Sequence, residues 1–403
     1  MRALAAVAVP REGLSAALPG ALSWSLLVIA AVVLLLVGGI AARRAARRRR
    51  VERVRRTTEP LRPLLLELVA GEPEEQADAA SRLAALPPPV WRSVEPAVVA
   101  LLSKVRGDSR TEVVRLLEER GVLGRARADL RRRGAVQRAR AVELLGAAGD
   151  AASVPALVEL LTTDRAAEVR IVAVRALGRI GAADATTPLL SALREQQGRS
   201  RVPPQVVAHA LLRIGPAAAG SLTAALAEDS AAVRATACEI LGRVGAVGSV
   251  AAVRRCLRED GSVEVRARAA TALGRLGMPS ALEDLVAASA PSAPGTARTS
   301  AVRALGELGD PRAVPVLARL LADDDGQVAA LAGPALVELG GTGRAVLHEA
   351  AGPDAPGGAG GRGQAAARAR EALAVARLRE AVPAPRGAAP VPSAAPVGVG
   401  VGA

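Results

Sequence analysis

The sequence predicts an all-α fold: an α-solenoid of about seven helix pairs, preceded by one transmembrane helix. Three observations predict it. A glycine-terminated motif recurs seven times at nearly constant spacing. Ala, Leu and Val dominate the apolar residues, while Phe, Tyr and Asn are absent, so strong helix formers abound and the aromatic component of strands is missing. An apolar, uncharged stretch lies near the N-terminus.

That stretch comes first in the chain. Residues Gly13 to Ala42 carry no charge, and the strongly apolar part, 21–42, would span about 33 Å as a helix, enough for a hydrocarbon core of roughly 30 Å. Trp24 falls near one end, where an indole suits the interface. Residues 42–56, ARRAARRRRVERVRR, hold nine Arg, whereas the other flank has only Arg2, Arg11 and Glu12. The positive-inside rule then places residues 1–20 outside and everything after the span in the cytoplasm. The length of the apolar run and its polybasic flank disfavour a cleaved signal peptide. The Arg-rich segment, 43–60, fixes topology and is expected to meet anionic lipid head groups.

The formal charge of +14 is therefore uneven. Eleven Arg against Glu12, Glu52 and Glu59 place eight of the fourteen net charges before residue 61. The rest of the chain is only modestly basic, which argues against nucleic-acid binding, as does the lack of stacking aromatics. Lys104 is the only lysine. A GC-rich, bacterial coding sequence explains the preference for Arg, so that preference carries no functional weight. The expected location is the bacterial inner membrane.

Residues 61–135 are less regular. Helices are expected at 61–69, 74–86, 90–105, 110–120 and 122–133, with Pro87, Pro88 and Pro89 as a break and Trp91 packed inside. They form a helical cap between anchor and array.

The array runs over 136–351. EVRIVAVRALGRIGA (168–182) recurs as AVRATACEILGRVGA (232–246), EVRARAATALGRLGM (264–278) and TARTSAVRALGELGD (296–310), with weaker copies at 136–150, 202–216 and 327–341. The last glycines are Gly149, Gly181, Gly215, Gly245, Gly277, Gly309 and Gly340, separated by 32, 34, 30, 32, 32 and 31 residues. Each unit reads as two helices. The second carries one apolar stripe, as in Val169, Ala173, Leu177 and Ile180, and its final Gly suits a left-handed C-cap. The first begins near Pro155, Pro188 or Pro315, where a missing N–H costs little. One such pair cannot bury both its faces, so stacking must do it.

The motif, roughly D-x4-VR-x2-A-x2-ALG-x2-G followed by VPxLxxLL, resembles HEAT repeats, especially the HEAT-like type of phycobilin lyases. The resemblance covers about 136–350. It implies that an Asp before the second helix and an Arg at its start form a ladder between repeats: Asp164 with Arg170, Asp229 with Arg234, and Asp260 with Arg266. Arg298 lacks such an Asp and Ala329 replaces the Arg, so weaker or bent interfaces are expected there. The resemblance also implies that the second helices line the concave side.

After the array, 352–363 is a Gly/Pro linker, 364–381 a helix, and 382–403 is expected to be disordered.

Catalytic and cofactor motifs are missing: there is no GxxxxGK[ST], HExxH, paired CxxC or GxSxG. His209 and His348 have no ligating neighbours in sequence. Cys238 and Cys256 are expected to be buried thiols serving as small hydrophobes. Acidic runs such as Asp323–Asp325 are expected to be solvated. No catalytic, cofactor or metal site is predicted.

One column remains. The outward position of successive second helices holds Ala147, Arg179, Arg213, Arg243, Arg275, Glu307 and Glu338. This predicts a surface basic over four repeats and acidic over the last two, suited to an acidic segment of a protein partner because Arg matches carboxylate geometry. The leading expectation is a non-enzymatic, membrane-anchored scaffold. The alternatives are a HEAT-like lyase-type enzyme or accessory subunit, which the resemblance brings with it, and nucleic-acid binding through a basic groove.

Overall fold

The computed structural model describes residues 34–39, 41, 43, 44, 59–194, 202–352 and 361–381. The expected outer N-terminus (1–20) and tail (382–403) lie outside these residues, as do most of the span (21–42) and of the Arg-rich segment. Residues 34–39, 41, 43 and 44 are helical, and Leu34, Leu35, Leu36 and Val37 are exposed.

The chain divides into two compact units, Met1–Arg125 and Ala126–Ala403. In the first, α1 (Arg62–Ala70) pairs with α2 (Pro73–Ala84), and α3 (Pro88–Leu101) with α4 (Gly107–Glu119). Pro73 and Pro88 stand at first helical positions, where no intrahelical N–H bond is lost. Glu72 and Glu75 close a capping box over the start of α2. Leu68, Leu83, Val94, Val98, Val113 and Leu117 are fully buried. Trp91 is buried with them. Its indole N–H donates to Glu95 Oε2 at 2.9 Å, and the Arg120 guanidinium lies 4.6 Å from its ring centroid. The division between units falls inside α5 (Val122–Asp129).

The second unit is the array. Its second helices are α6 (Ala135–Ala148), α8 (Ala167–Ile180), α10 (Pro204–Ile214), α12 (Ala231–Val244), α14 (Val263–Leu276), α16 (Gly295–Leu308) and α18 (Gly326–Glu338). The first helices between them are α7 (Val154–Thr163), α9 (Thr186–Ser191), α11 (Ala219–Ala225), α13 (Val250–Glu259), α15 (Leu282–Ala288) and α17 (Val314–Leu320). The predicted stripe is buried over most of its length: Val169, Ala173 and Leu177 are 0% exposed, Ile180 at the helix end is half-buried, and α8 packs on the first helix α7, whose Leu157 is also fully buried. Each fully buried Leu or Val contributes about 1.5–3 kcal/mol before the entropy of ordering is counted. Gly181 ends α8 in the left-handed conformation, φ 78° and ψ 26°, as its place after the stripe predicts. Gly215 departs from this. Its ψ is −146°, and it leads into a 3-10 turn through Pro216.

The array continues past residue 351. α19 (Gly340–Ala351) and α20 (Gly361–Ala381) pack on each other, and α20 packs on α18 as the other second helices pack on their predecessors. The helix expected at 364–381 thus begins at Gly361 and completes a further pair with α19, making eight second helices among the described residues; most of the expected linker lies outside them. The Ala/Arg-rich sequence of α20 lacks the glycine-ended motif, so the repeat pattern did not include it.

Neighbouring second helices meet through glycine. A Cβ placed on Gly146, Gly178, Gly242, Gly274 or Gly306 would come within 2.6–2.8 Å of backbone or Cβ atoms of Ala176, Ala210, Ala272, Ala304 or Ala335 on the next second helix. The motif's ALG triplet is therefore a contact: the Ala of one repeat receives the Gly of the one before. Among neighbouring second helices of the array, α10 and α12 make the least intimate contact. There Leu212 stands in the glycine position and Ile240 in the alanine position.

Among the described residues, Pro204–Ala225 is the one stretch long and apolar enough to cross a membrane. It comprises α10 and α11 with the break at Gly215, and its Val207, Leu211 and Leu222 are 0% exposed in the array core.

Gly242→Val is expected to lower stability by about 1–3 kcal/mol, since neither helix can retreat without uncovering core. Gly220→Ala, with nothing within 4 Å of the new Cβ, should be neutral or stabilising by up to about 0.5 kcal/mol. Urea unfolding followed by circular dichroism distinguishes the two, and equal effects would contradict the contact.

Candidate interaction surface

The ladder and the surface column both arise from the repeat, so the structure places them together. Arg138, Arg170, Arg234, Arg266 and Arg298 stand at the same position, the fourth residue of their second helices. Arg138 donates through Nε and Nη2 to Asp164 Oδ2 and Oδ1 at 2.7 and 2.8 Å. Arg234 grips Asp260 in the same fork, at 2.7 and 2.9 Å. In each case the Arg belongs to one repeat and the Asp to the next.

This corrects the expected pairs. Arg170 donates to the backbone carbonyl of Asp164 at 2.8 Å, whose carboxylate is taken by Arg138. Arg234 likewise reaches the carbonyls of Glu228 and Asp229 at 2.7 and 2.8 Å, while the Asp229 side chain is exposed. Arg266 acts by charge on Asp260 of its own repeat but has no Asp of the following repeat opposite it. The residue in that place is Ser292, and the Arg266 Nε is buried without a hydrogen-bond partner. Arg298, expected to be unsupported, donates to Asp323 Oδ2 at 2.6 Å and to the Ser289 carbonyl at 3.2 Å. Asp323 is therefore not a solvated acid. Asp325 caps α18 by accepting from the backbone N–H groups of Gln327 and Val328. In α10 the ladder position, counted back from Gly215, is Pro204, and Arg194 pairs with Glu228 instead.

Burial pushes the Asp164 carboxyl up, but the Arg138 fork, the Ala166 N–H and the charges of Arg138 and Arg170 outweigh it and hold the carboxyl below its usual range. For Asp260 the Arg234 hydrogen bonds are the largest influence. Burial opposes them, and the net direction is again downward.

The column occupies the exposed face of the second-helix layer. Arg179, Arg213, Arg243, Arg275, Glu307 and Glu338 are all exposed. Arg179, Arg213 and Arg275 make no ion pair among the described residues. Arg243 approaches Glu239 at 3.6 Å, and Glu239 also accepts from Arg268 at 2.8 Å, so the column is partly neutralised at α12. The i, i+4 spacing of Glu239 and Arg243 carried that signal in the sequence. Arg175 and His209, one turn earlier on α8 and α10, are exposed beside Arg179 and Arg213. The basic part is thus concentrated on α8 and α10.

The acidic end is also altered. Partial desolvation of the otherwise exposed Glu338 raises its carboxyl above the usual range and the neighbouring Glu307 charge adds to this, while Arg379 of α20 and Arg303 oppose it. Arg379 lies on α20, whose sequence lacks the repeat motif, so the repeat pattern gives no sign of it. A small hollow of about 140 Å³, lined by Pro334, Val337, Glu338, Val375 and Arg379 among others, lies between α18 and α20. No group of three or more His, Cys, Asp or Glu able to hold a metal occurs among the described residues.

Residues 130–202, 219–301 and 256–337 match the family described as HEAT repeats. Over these residues the array has the character of HEAT repeats. No curated protein matches the chain. Among solved structures, human deoxyhypusine hydroxylase is similar at 20% identity over 66% of this chain and 96% of that one, with a TM-score of 0.28. The CpcE–CpcF phycocyanin lyase complex of Nostoc sp. PCC7120 is similar at 22% identity over 63% and 94%, with a TM-score of 0.30. A Kap121p mutant is similar at 14% identity over 72% of this chain and 38% of that one, with a TM-score of 0.48. These are likenesses of fold. Two of them correct the expectation that the chain is not an enzyme: a hydroxylase and a lyase have HEAT-like repeat folds, so the fold gives no ground for excluding catalysis.

Two outcomes test the ladder. Ser292→Asp gives Arg266 the missing carboxylate and should raise stability by about 1 kcal/mol; a lower urea midpoint would show that Arg266 offers no such seat. The Asp164 and Asp260 pairs stabilise the fold above the unfolded carboxylate range, near pH 4, and this is lost as pH falls through their depressed folded values. Acid titration should therefore show a shallower stability loss for Arg138→Gln/Arg234→Gln than for the native chain.

Proposed function

We propose that this chain is an interaction scaffold, held at a membrane by residues 21–42, whose second-helix face receives an acidic segment of a protein partner. HEAT repeats are protein-interaction modules, and a stacked array offers an extended surface that no single pair supplies. The observation that carries the finer reading is the group on α8 and α10. Arg175, Arg179, His209 and Arg213 are exposed on one face, and Arg179 and Arg213 make no ion pair among the described residues. An Arg fork recognises a carboxylate by geometry as well as charge. The membrane part of the proposal is supported by the apolar run and its nine-Arg flank, which also favour contact with anionic lipid and an orientation with the array in the cytoplasm.

The probe is a fluorescent Glu-rich peptide titrated onto the detergent-solubilised full chain. Arg179→Glu/Arg213→Glu is expected to weaken binding at least tenfold and flatten its salt dependence, while Arg255→Glu, on a first helix, leaves it unchanged. Equal binding by all three proteins would remove the docking face. A DNA oligonucleotide binding more tightly than the peptide would replace the acidic protein with nucleic acid. Deleting residues 21–42 should move the chain from the membrane to the soluble fraction.

A further inference from the structure

Cys238 and Cys256 are the chain's only cysteines and lie eighteen residues apart. Folding places them on facing helices. Cys238 is on α12, the second helix of one repeat, and Cys256 is on α13, the first helix of the next. Both are free thiols, 0% and 8% exposed. Cys238 lies one turn after Arg234 and Cys256 one turn before Asp260, so the Arg234–Asp260 fork sets the two thiols at the same interface.

The two differ in access. Between α11 and α13 lies a cleft of about 480 Å³, and Cys256 is in its wall beside Arg234, Arg255 and Asp260. Arg234 is anchored there by its fork on Asp260, so a guanidinium stays next to the thiols. Cys238 lies behind Cys256 in the core. One thiol can thus be reached from solvent, in a setting that favours its anion, and the second is already positioned against it.

The hydrogen bond from Cys238 holds the Cys256 thiol below its usual range. Burial and Asp260 oppose this, and Arg234 and Arg255 reinforce it. The same hydrogen bond and burial push the Cys238 thiol up. Cys256 is therefore the group that loses its proton first.

We propose that Cys238 and Cys256 form a two-thiol redox site, which a small hydroperoxide entering the α11–α13 cleft converts to a disulfide between adjacent repeats. The Cys256 thiolate attacks one peroxide oxygen. The O–O bond breaks, and the departing oxygen takes up a proton and leaves as water, or as an alcohol from an alkyl hydroperoxide. Cys256 is left as a sulfenic acid. The Cys238 sulfur then attacks the Cys256 sulfur. The S–O bond breaks, and the hydroxide leaves with the Cys238 proton as water. Two thiols are oxidised to one disulfide and one peroxide is reduced. The bond joins α12 to α13 at the interface that Arg234 and Asp260 already hold, so it fixes one repeat against the next.

The test uses the full chain treated with hydrogen peroxide, then denatured, alkylated with a maleimide and weighed intact. The native chain is expected to lose two hydrogens and both alkylatable thiols, as a monomer, and to recover both with dithiothreitol. Cys238→Ala should leave a Cys256 sulfenic acid trapped by dimedone, and Cys256→Ala should leave Cys238 alkylatable. Should either variant fail to fold, the native chain alone decides. Two unchanged thiols after peroxide, a disulfide between two chains, or Cys256 sulfinic acid without a disulfide would each overturn the site.

Discussion

The close approach of second helix to second helix through glycine is the constraint on which the array depends. A glycine inside a helix costs about 1 kcal/mol relative to alanine, and this chain accepts that cost at the same place in repeat after repeat. The return is contact. Without Phe or Tyr, the core must be filled by Ala, Val and Leu, whose short side chains meet only if the helices are near. Gly242 against Ala272 and Gly274 against Ala304 bring them near. The same approach brings Arg138, Arg234 and Arg298 within reach of an Asp on the following repeat. The surface column also follows from it, because the residue after each glycine, such as Arg179, Arg243 or Arg275, points to the exposed side.

The place where the constraint lapses is informative. At α10 and α12 the Gly/Ala pair becomes Leu212 and Ile240, the ladder Arg becomes Pro204, and Gly215 adopts a different conformation from the other terminal glycines. Three regular features fail together, and the two helices make looser contact. The pairing of Arg194 with Glu228 substitutes for the ladder from a neighbouring position. It is an exposed pair on both sides, so it contributes less than the buried forks do. The solenoid is therefore least tightly joined next to the helix carrying His209 and Arg213, within the basic patch.

Much of this was legible in the sequence, and the limits have physical causes. The period of the terminal glycines located the second helices, and the apolar stripe located their buried face, because both are local consequences of helix geometry. The inner glycine of ALG was visible in every strong copy, but its meaning is a contact about thirty residues away. The ladder was mispaired for the same reason: Asp164 lies six residues before Arg170, whereas its carboxylate partner, Arg138, lies twenty-six residues before it. Asp323 read as a solvated acid until Arg298 was brought to it. Helix α20 packs as a repeat helix while lacking the repeat's signature, so only packing against α18 shows what it is.

The charge of the array is set by composition and then redistributed by packing. The sequence places most of the excess Arg beside the apolar N-terminal run, leaving the array modestly basic. The structure then neutralises part of what remains, through Glu239 at Arg243 and through Arg303 and Arg379 at Glu338. What is left is local. With screening over about 8–10 Å in physiological salt, exposed guanidiniums on α8 and α10 act on groups that touch them and exert little pull from a distance. A polyanion recognised by overall field would gain little from such a surface. A short segment with two or three carboxylates spaced to meet neighbouring helices would gain most, because each Arg fork rewards a correctly placed carboxylate. The fixed distance between second helices, set by glycine against alanine, is what makes that spacing readable.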